Sequence, residues 1–242
     1  MEFYGMTHVG MIRTVNQDSW DMVSLCDGAA VLLLVCDGMG GKNGGDTASR
    51  IAVENIKSYV LNSFVKTMNS QQIENILRTA ISTANLCVYE ASQNKEELRG
   101  MGTTAVVVFV HGNIAYVLHV GDSRVYLFSN DELNQVTVDH SLVQTMVDKG
   151  EITPEEALVH PNKNIITRAI GTNKEVTADL DILDLKENDV VLLCSDGLSN
   201  FASHNDIEAE LSKFSPDTPK RLIDLANKGG GEDNITAVVL KY

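Results

Sequence analysis

The chain has 242 residues, of which 43% are hydrophobic, and this suits one globular domain with a sizeable core. Its 19 basic and 33 acidic residues give a net charge of −14, which argues against a sequence-independent grip on nucleic acid and, more weakly, against anionic membranes. No apolar run approaches the roughly 20 residues that span a bilayer, and the N-terminus lacks a signal-peptide pattern. These features predict a cytoplasmic protein that binds neither nucleic acid nor membrane.

Short apolar runs bounded by turn residues predict strands, and apolar residues at helical spacing predict helices. In chain order the predicted elements are strands at 2–11, 19–26 and 30–36, helices at 45–66 and 71–92, a hairpin at 103–109 and 114–120, and a strand at 125–128. They continue with a short helix at 141–149, a helical turn at 153–156, a strand pair at 177–184 and 189–195, helices at 205–214 and 216–228, and a strand at 234–240. Because the strands come in clusters, we expect an α+β fold: a four-layer α-β-β-α sandwich of two antiparallel sheets flanked by helices.

Five aspartates stand where metal ligands would be expected, most of them beside a glycine or at the end of an apolar run: Asp18, Asp37, Asp122, Asp196 and Asp233. A single Asp-Gly pair after a strand is usually only a turn, and we interpret Asp27-Gly28 in that way. Turns alone do not explain five such aspartates. Ligation by oxygen without histidine or cysteine favours Mg²⁺ or Mn²⁺ over zinc or copper.

A pair of such ions would suit the hydrolysis of a phosphate ester. Two ions roughly 3.5–4 Å apart, bridged by an aspartate and a water, would activate that water for attack on phosphorus. The carboxylates repel a phosphate, so the substrate also needs a cation, and the guanidinium of Arg13 can match two phosphate oxygens. Taken alone, Arg13 is weak support, because an arginine near an aspartate is more often part of a surface ion pair.

Seven segments then occur in the order of a known family: Arg13-Thr14-Val15-Asn16-Gln17-Asp18, Val35-Cys36-Asp37-Gly38-Met39-Gly40-Gly41, Met101-Gly102-Thr103-Thr104, Gly121-Asp122-Ser123-Arg124, Thr167-Arg168-Ala169-Ile170-Gly171, Ser195-Asp196-Gly197-Leu198 and Glu232-Asp233-Asn234-Ile235-Thr236. The chain resembles the metal-dependent protein serine/threonine phosphatases of type 2C, the PPM family, in their compact bacterial form. The resemblance implies the same sandwich of two antiparallel sheets. It also implies one catalytic domain over residues 1–242, with a flap at about 141–166 that is thought to affect substrate choice.

The resemblance further implies roles for the acidic residues. Asp37 would bridge two Mn²⁺ or Mg²⁺ ions. The Gly38 carbonyl would bind one ion, and Asp196 and Asp233 would bind the other. Asp18 would act mainly through metal-bound water. Catalysis would then depend on Asp37 together with Arg13, which would hold the substrate phosphate.

A third, weaker ion would be shared by Asp122 and Asp196. Met39 stands where many eukaryotic relatives have a histidine that is proposed to protonate the leaving alcohol, so the general acid is open: a metal-bound water or another side chain. His140 and His160 lie in or beside the flap. The ordinary interpretation of both is a solvent-exposed histidine with no catalytic part.

The resemblance favours a phosphoprotein phosphatase that hydrolyses phosphoserine and phosphothreonine through a water bridging two metal ions. It would be a monomer that acts on phosphorylated proteins and opposes a Ser/Thr protein kinase. The alternative is a catalytically silent binding or sensor module of the same fold. Such a module would be expected to have replaced a metal ligand, and none of the matched positions is replaced. A third option is a two-metal enzyme for small phosphate esters or nucleotides.

Overall fold

The computed structural model describes the backbone of residues 1–242 and all side chains except those of residues 41–43. In chain order its strands are β1 (Glu2–His8), β2 (Asp18–Leu25), β3 (Ala30–Met39), β4 (Gly102–Thr103), β5 (Ala105–His111), β6 (Ile114–Val120), β7 (Arg124–Ser129), β8 (Glu132–Gln135), β9 (Asp179–Asp184), β10 (Val190–Cys194) and β11 (Ile235–Lys241). They form a five-stranded sheet of order β1-β11-β10-β7-β8 and a second sheet of order β2-β3-β5-β6-β9, with β4 paired to the end of β3. Every pairing between these strands is antiparallel.

Helices cover the outer faces of both sheets, as the α-β-β-α prediction requires. The helices are α1 (Gly41–Ser63), α2 (Ser70–Asn94), α3 (Leu142–Asp148), α4 (Pro154–Val159), α5 (Asp196–Ser199), α6 (His204–Leu211) and α7 (Thr218–Lys228). The first two pack on the sheet that contains β3, and α5 to α7 pack on the sheet that contains β11. The predicted four-layer sandwich is confirmed.

Three apolar layers hold the sandwich together, one between the sheets and one under each helical layer. Strand β3 shows how the sequence builds two of them. Leu33 and its alternate neighbours face the opposite sheet, while Leu32 and Leu34 face α1 and α2. Since successive side chains of a strand point to opposite faces, a strand buried on both sides must be apolar throughout. That is why this strand appears in the sequence as one continuous apolar run.

Helix ends follow local sequence signals. Asn69 caps α2 in a capping box with Gln72, and Thr153 caps α4 in a second box with Glu156. Pro154 occupies the first turn of α4, as predicted, where its missing N–H costs nothing. The predicted flap region therefore contains two short capped helices, α3 and α4.

One predicted pairing is wrong. The sequence predicts that the strands at 177–184 and 189–195 pair with each other, but β9 pairs with β6 and β10 pairs with β7 and β11 in the other sheet. The chain crosses between sheets over residues 185–189. The physical reason is burial. Strand β10 is buried along its whole length, so its backbone needs a paired strand on each side, whereas β9 has three aspartates among its six residues and lies at a sheet edge.

Candidate active site

The ends of strands from both sheets surround a cavity of about 370 Å³. It is lined by Arg13, Gln17, Asp37, Gly38, Met39, Gly40, Thr104, Asp122, Asn164, Ile166, Asp196, Asp233 and Asn234. Four of the five predicted aspartates line this cavity together with Gly38 and Arg13. The fifth, Asp18, is buried nearby, and the charges of Asp196 and Asp233 raise its pKa. The fold therefore brings the sequence-predicted residues together from well-separated segments of the chain.

Asp18 connects the two sheets. It begins β2, directly opposite Asp37 of β3. Its Oδ2 accepts hydrogen bonds from Ser195 Oγ at 2.8 Å and Thr236 Oγ1 at 2.6 Å, both in or beside strands of the other sheet. Its Oδ1 is buried and has no hydrogen-bond partner among the side chains that the structure describes. Such an oxygen is costly unless a cation or a water satisfies it.

Asp37 and Gly38 are fixed by backbone contacts at the end of β3. Thr104 accepts the Asp37 N–H through its side chain at 2.9 Å and donates its own N–H to the Asp37 carbonyl at 2.8 Å. Gly38 lies so close to the start of α1 that an added Cβ would overlap the Gly45 carbonyl. The position therefore requires glycine because of close approach between two backbones, with no unusual torsion angle involved.

The other three aspartates lie in turns that enter or leave strands. Asp196 begins α5, with one residue separating it from β10, and its Oδ2 accepts from Asn200 Nδ2 at 3.1 Å. Its Oδ1 is buried and, outside residues 41–43, has no hydrogen-bond partner. Asp233 precedes β11 and accepts from Arg13 Nη2 at 3.0 Å. Asp122 is half-buried in the turn between β6 and β7. Their free oxygens are available to a ligand in the cavity.

Burial and mutual repulsion make the ionised cluster unfavourable. Burial, helped by the charges of Asp196 and Asp233, raises the pKa of Asp18 to about 7, although its two hydroxyl donors act against this shift. Burial and neighbouring carboxylates also raise the pKa of Asp122 to about 7 and that of Asp196 to about 6. The pKa of Asp37 is raised well above its usual range by burial and by the other four aspartates.

The side chains that surround this cavity suit a divalent metal ion. Two buried carboxylate oxygens of this cluster, Asp18 Oδ1 and Asp196 Oδ1, lack a partner among the described side chains, and the carboxylates around them resist ionisation in the absence of positive charge. A divalent cation would remove both penalties. Since the donors are oxygens alone, the set suits a hard ion such as Mg²⁺ or Mn²⁺.

Sequence reasoning missed the residues that hold this arrangement in place. Asn234 is buried; its Nδ2 donates to the carbonyls of Val9 and Val15 at 2.9 and 3.0 Å, and its Oδ1 accepts the Gln17 N–H at 2.8 Å. It thereby fixes the loop that carries Arg13. Asn234 stands in the matched segment Glu232-Asp233-Asn234-Ile235-Thr236, but the sequence does not reveal its role, because its contacts join positions more than 200 residues apart.

The interpretation of the two histidines as solvent-exposed is wrong for His140. Its side chain is 8% exposed, and Nδ1 accepts the N–H of Gly121 at 3.0 Å, next to Asp122. His160 is half-buried beside α4. Neither histidine lines the cavity that contains the aspartates.

A larger cavity of about 680 Å³ adjoins the first and shares Asp122 and Asp196 with it. The flap helices α3 and α4 form one wall, through Val143, Val147 and Leu158, and residues of α5 and α6 form the other. The flap is therefore placed where it can contact whatever extends beyond the aspartates. Among the described helices, none combines the length and the apolar character that a membrane crossing needs.

Comparison with known proteins places these features in a family context. The model of the family described as protein phosphatase 2C matches residues 11–230. The protein phosphatase PhpP of Streptococcus pneumoniae is 37% identical over 242 residues, which cover 99% of this chain and 97% of PhpP. The serine/threonine phosphatase of S. agalactiae has a solved structure that is 37% identical and superposes with a TM-score of 0.92, covering 100% of this chain and 99% of the other. The catalytic domain of the phosphatase PstP, solved with two manganese ions, is 34% identical and superposes with a TM-score of 0.83. The match covers 98% of this chain and 96% of the PstP domain.

Proposed function

The chain belongs to the protein phosphatase 2C family, and on that premise we propose that it is a phosphoprotein phosphatase that hydrolyses phosphoserine and phosphothreonine with Mn²⁺ or Mg²⁺ as cofactor. One observation supports this most strongly. Five aspartates converge at the strand ends of two sheets, and two of their buried oxygens have no partner in the part of the protein that the structure describes. A silent binding module would have no need to maintain such an unfavourable cluster.

Metal binding is assigned to the carboxylates and one carbonyl. Asp37, with the Gly38 carbonyl on one side and Asp196 and Asp233 on the other, would hold two ions, while Asp18 would contact bound water. Asp122 and Asp196 would share a third, more weakly bound ion, since both residues line both cavities. Such ions, when bound, lower the pKa of water and offset the charge of a phosphate ester under attack.

Arg13 is assigned to hold the substrate phosphate. Its side chain is 53% exposed on the cavity wall and is paired with Asp233 at 3.0 Å. A half-exposed guanidinium can exchange this single contact for two parallel bonds to phosphate oxygens. Met39 lines the cavity and has no proton to give, and no histidine is among the described lining residues. We therefore propose that water protonates the leaving alcohol.

The wider setting of this activity is also a proposal. Residues 1–242 would form a single catalytic domain, with residues 141–166 as a flap that contacts the residues flanking the phosphate, because α3 and α4 wall the larger cavity. The protein would act as a monomer in the cytoplasm and reverse the work of a Ser/Thr protein kinase.

The first test is hydrolysis of a phosphothreonine peptide by metal-stripped protein titrated with Mn²⁺. The wild type is compared with Asp196→Ala and with Asp224→Ala, a control aspartate that forms an ion pair with Lys220 on the exposed face of α7. We expect activity to appear with Mn²⁺, to fall by at least about a hundredfold in Asp196→Ala, and to persist in Asp224→Ala. A folded wild type with no activity at any Mn²⁺ concentration would support the silent module instead. Activity toward nucleotides alone would support the small-ester alternative.

A further inference from the structure

A second group of titratable side chains lies outside the proposed active site. Among the described residues, His119, His140 and Asp179 form the one group of three possible metal ligands whose ligand atoms all lie within 4.8 Å of one another. The two imidazole rings are stacked, with centroids 4.5 Å apart and planes inclined by 16°. Imidazole lone pairs lie in the ring plane, so two nearly parallel stacked rings cannot both direct a lone pair at one ion. The group therefore needs a different explanation.

His140 is bound to Gly121 by two hydrogen bonds. Its backbone N–H donates to the Gly121 carbonyl at 2.9 Å, and its Nδ1 accepts the Gly121 N–H at 3.0 Å. Gly121 has a φ of +107°, and an added Cβ there would meet the side chain of Thr104. This turn is therefore fixed by His140 on one side and packed against Thr104 on the other.

The residue that follows this turn is Asp122. On its other side, Ser123 Oγ and Thr104 Oγ1 lie 2.7 Å apart, and Thr104 in turn accepts the Asp37 N–H at 2.9 Å. Hydrogen bonds therefore hold the chain on both sides of Asp122. On one side Ser123 and Thr104 connect it to Asp37, and on the other side Gly121 connects it to His140.

The hydrogen bonds of His140 also determine which ring nitrogen carries the proton. Since Nδ1 accepts from Gly121, a neutral ring must carry its proton on Nε2, which lies 3.2 Å from Asp179 Oδ2. Asp179 is held by Arg168, whose Nη1 contacts Oδ1 at 2.5 Å and also donates to the Thr177 carbonyl at 3.1 Å. A carboxylate that fixes the tautomer of a histidine is a common way to orient the other ring nitrogen.

We propose that His140 is a positioning residue that sets the backbone of Gly121, and through it the Asp122 carboxylate, for metal-dependent activity. Arg168 and Asp179 hold the tautomer in which Nδ1 can accept the Gly121 N–H. The proposal rests on the function proposed above and assigns to His140 no contact with substrate or metal. Without the Nδ1 acceptor, the buried N–H of Gly121 loses its partner and the turn is free to move Asp122.

Two substitutions at the same position separate this role from a general loss of structure. In His140→Asn the side-chain oxygen takes the place of Nδ1, so the bond from Gly121 is kept and the contact with Asp179 is lost. In His140→Gln the chain can reach toward Asp179 but has no acceptor at the Nδ1 position. His111 provides the control, because it ends β5 at the hairpin turn to β6, at the far end of the strand from Thr104 and the proposed site.

The measurement is the Mn²⁺ concentration that gives half-maximal hydrolysis of a phosphothreonine peptide by the full chain. We expect His140→Gln to raise it about fivefold, the equivalent of one lost hydrogen bond, with turnover largely recovered at saturating Mn²⁺. His140→Asn should lie closer to the wild type, and His111→Gln should match the wild type. The Gly121 amide proton, followed by NMR, should shift in His140→Gln by more than in His140→Asn.

Equal Mn²⁺ requirements in the wild type and His140→Gln would overturn the proposal. So would equal losses of turnover in His140→Gln and His140→Asn that saturating Mn²⁺ does not recover, since they would indicate a structural role alone. Failure of the function itself is distinguishable, because the wild type would then show no Mn²⁺-dependent hydrolysis. In that case the Gly121 amide shift and Mn²⁺-induced thermal stabilisation of the same variants test the positioning role.

Discussion

At the scale of single residues, the aspartate cluster makes a prediction about pH. Asp18, Asp122 and Asp196 have pKa values raised by burial to about 7, 7 and 6 in the metal-free protein. Their pKa values in the unfolded chain are near 4. Between about pH 5 and 7 the folded protein therefore binds more protons than the unfolded chain, and its stability must fall as pH rises.

We expect the free energy of unfolding of chelator-treated protein to decrease from pH 5 to pH 7.5. Each carboxyl should contribute about 1.4 kcal/mol for every tenfold by which its proton affinity in the folded protein exceeds that in the unfolded chain. Urea unfolding followed by circular dichroism at several pH values measures this slope. Asp18→Asn, which cannot ionise, should give a shallower slope than the wild type. A metal-free protein whose stability is constant or rises over this range would contradict the raised pKa values.

Arg13 gives a second prediction at this scale. Its exposed ion pair with Asp233 contributes little to stability, so Arg13→Ala should unfold at nearly the wild-type denaturant concentration. Because the guanidinium is assigned to the substrate phosphate, KM for a phosphothreonine peptide should rise about tenfold or more while kcat changes less. Arg13→Lys should recover part of the loss through its charge. A large fall in kcat with unchanged KM would show that Arg13 acts on the chemical step.

The residues of the proposed site were predictable from the sequence only in part. The five aspartates, Gly38 and Arg13 stand in short motifs, so local pattern was enough to select them. Asn234, Thr104 and His140 act through hydrogen bonds to backbone atoms of distant segments. Those contacts exist only once both sheets are assembled, so the sequence alone left Asn234 and Thr104 without a role and misjudged His140.

At the scale of elements, the meeting of β3 and α1 gives a third prediction. An added Cβ at Gly38 would overlap the Gly45 carbonyl, and one at Gly45 would overlap the Gly38 carbonyl. Gly38→Ala should therefore separate strand and helix, lower the free energy of unfolding by about 1–3 kcal/mol, and greatly weaken Mn²⁺-dependent hydrolysis. Gly112→Ala is the control. A Cβ at Gly112 would meet no neighbouring atom, so the only cost of the substitution is the strain of placing alanine at a φ of +62°. Equal activity in both variants would show that this close approach has no part in the site.

The elements themselves followed local signals closely, while their pairing did not. Caps, turns and apolar runs fixed where most helices and strands begin and end, and the hairpin of β5 and β6 was identified correctly. The assignment of β10 to its sheet failed because a five-residue connection resembles a hairpin loop. The continuous apolar run Val190–Cys194 did carry the relevant signal. A strand buried along its whole length needs a hydrogen-bonded strand on each side, so β10 belongs in the middle of a sheet and not at the end of a hairpin.

At the scale of the whole molecule, the proposed site depends on how the two sheets pack. The carboxylate of Asp18 begins a strand of one sheet, but it is held by Ser195 and Thr236 of the other. Asp37 likewise lies in a strand of one sheet, whereas Asp196 begins the helix that follows β10 of the other. The apolar layer between the sheets therefore sets the spacing of the carboxylates. We expect the outer layer under α7, which lies farther from the carboxylates in the chain, to affect this spacing less.

A pair of leucine truncations tests this difference. Leu33 of β3 is buried between the sheets, and Leu222 of α7 is buried in an outer layer, each with no exposed surface. Leu33→Ala and Leu222→Ala should each lower the free energy of unfolding by about 3–5 kcal/mol. At a temperature where both remain folded, Leu33→Ala should need more Mn²⁺ for half-maximal hydrolysis, because its cavity lets the sheets shift. Leu222→Ala should need about the wild-type concentration. Equal Mn²⁺ requirements in the two variants would show that the carboxylates are positioned by their local hydrogen bonds alone, independently of the packing between the sheets.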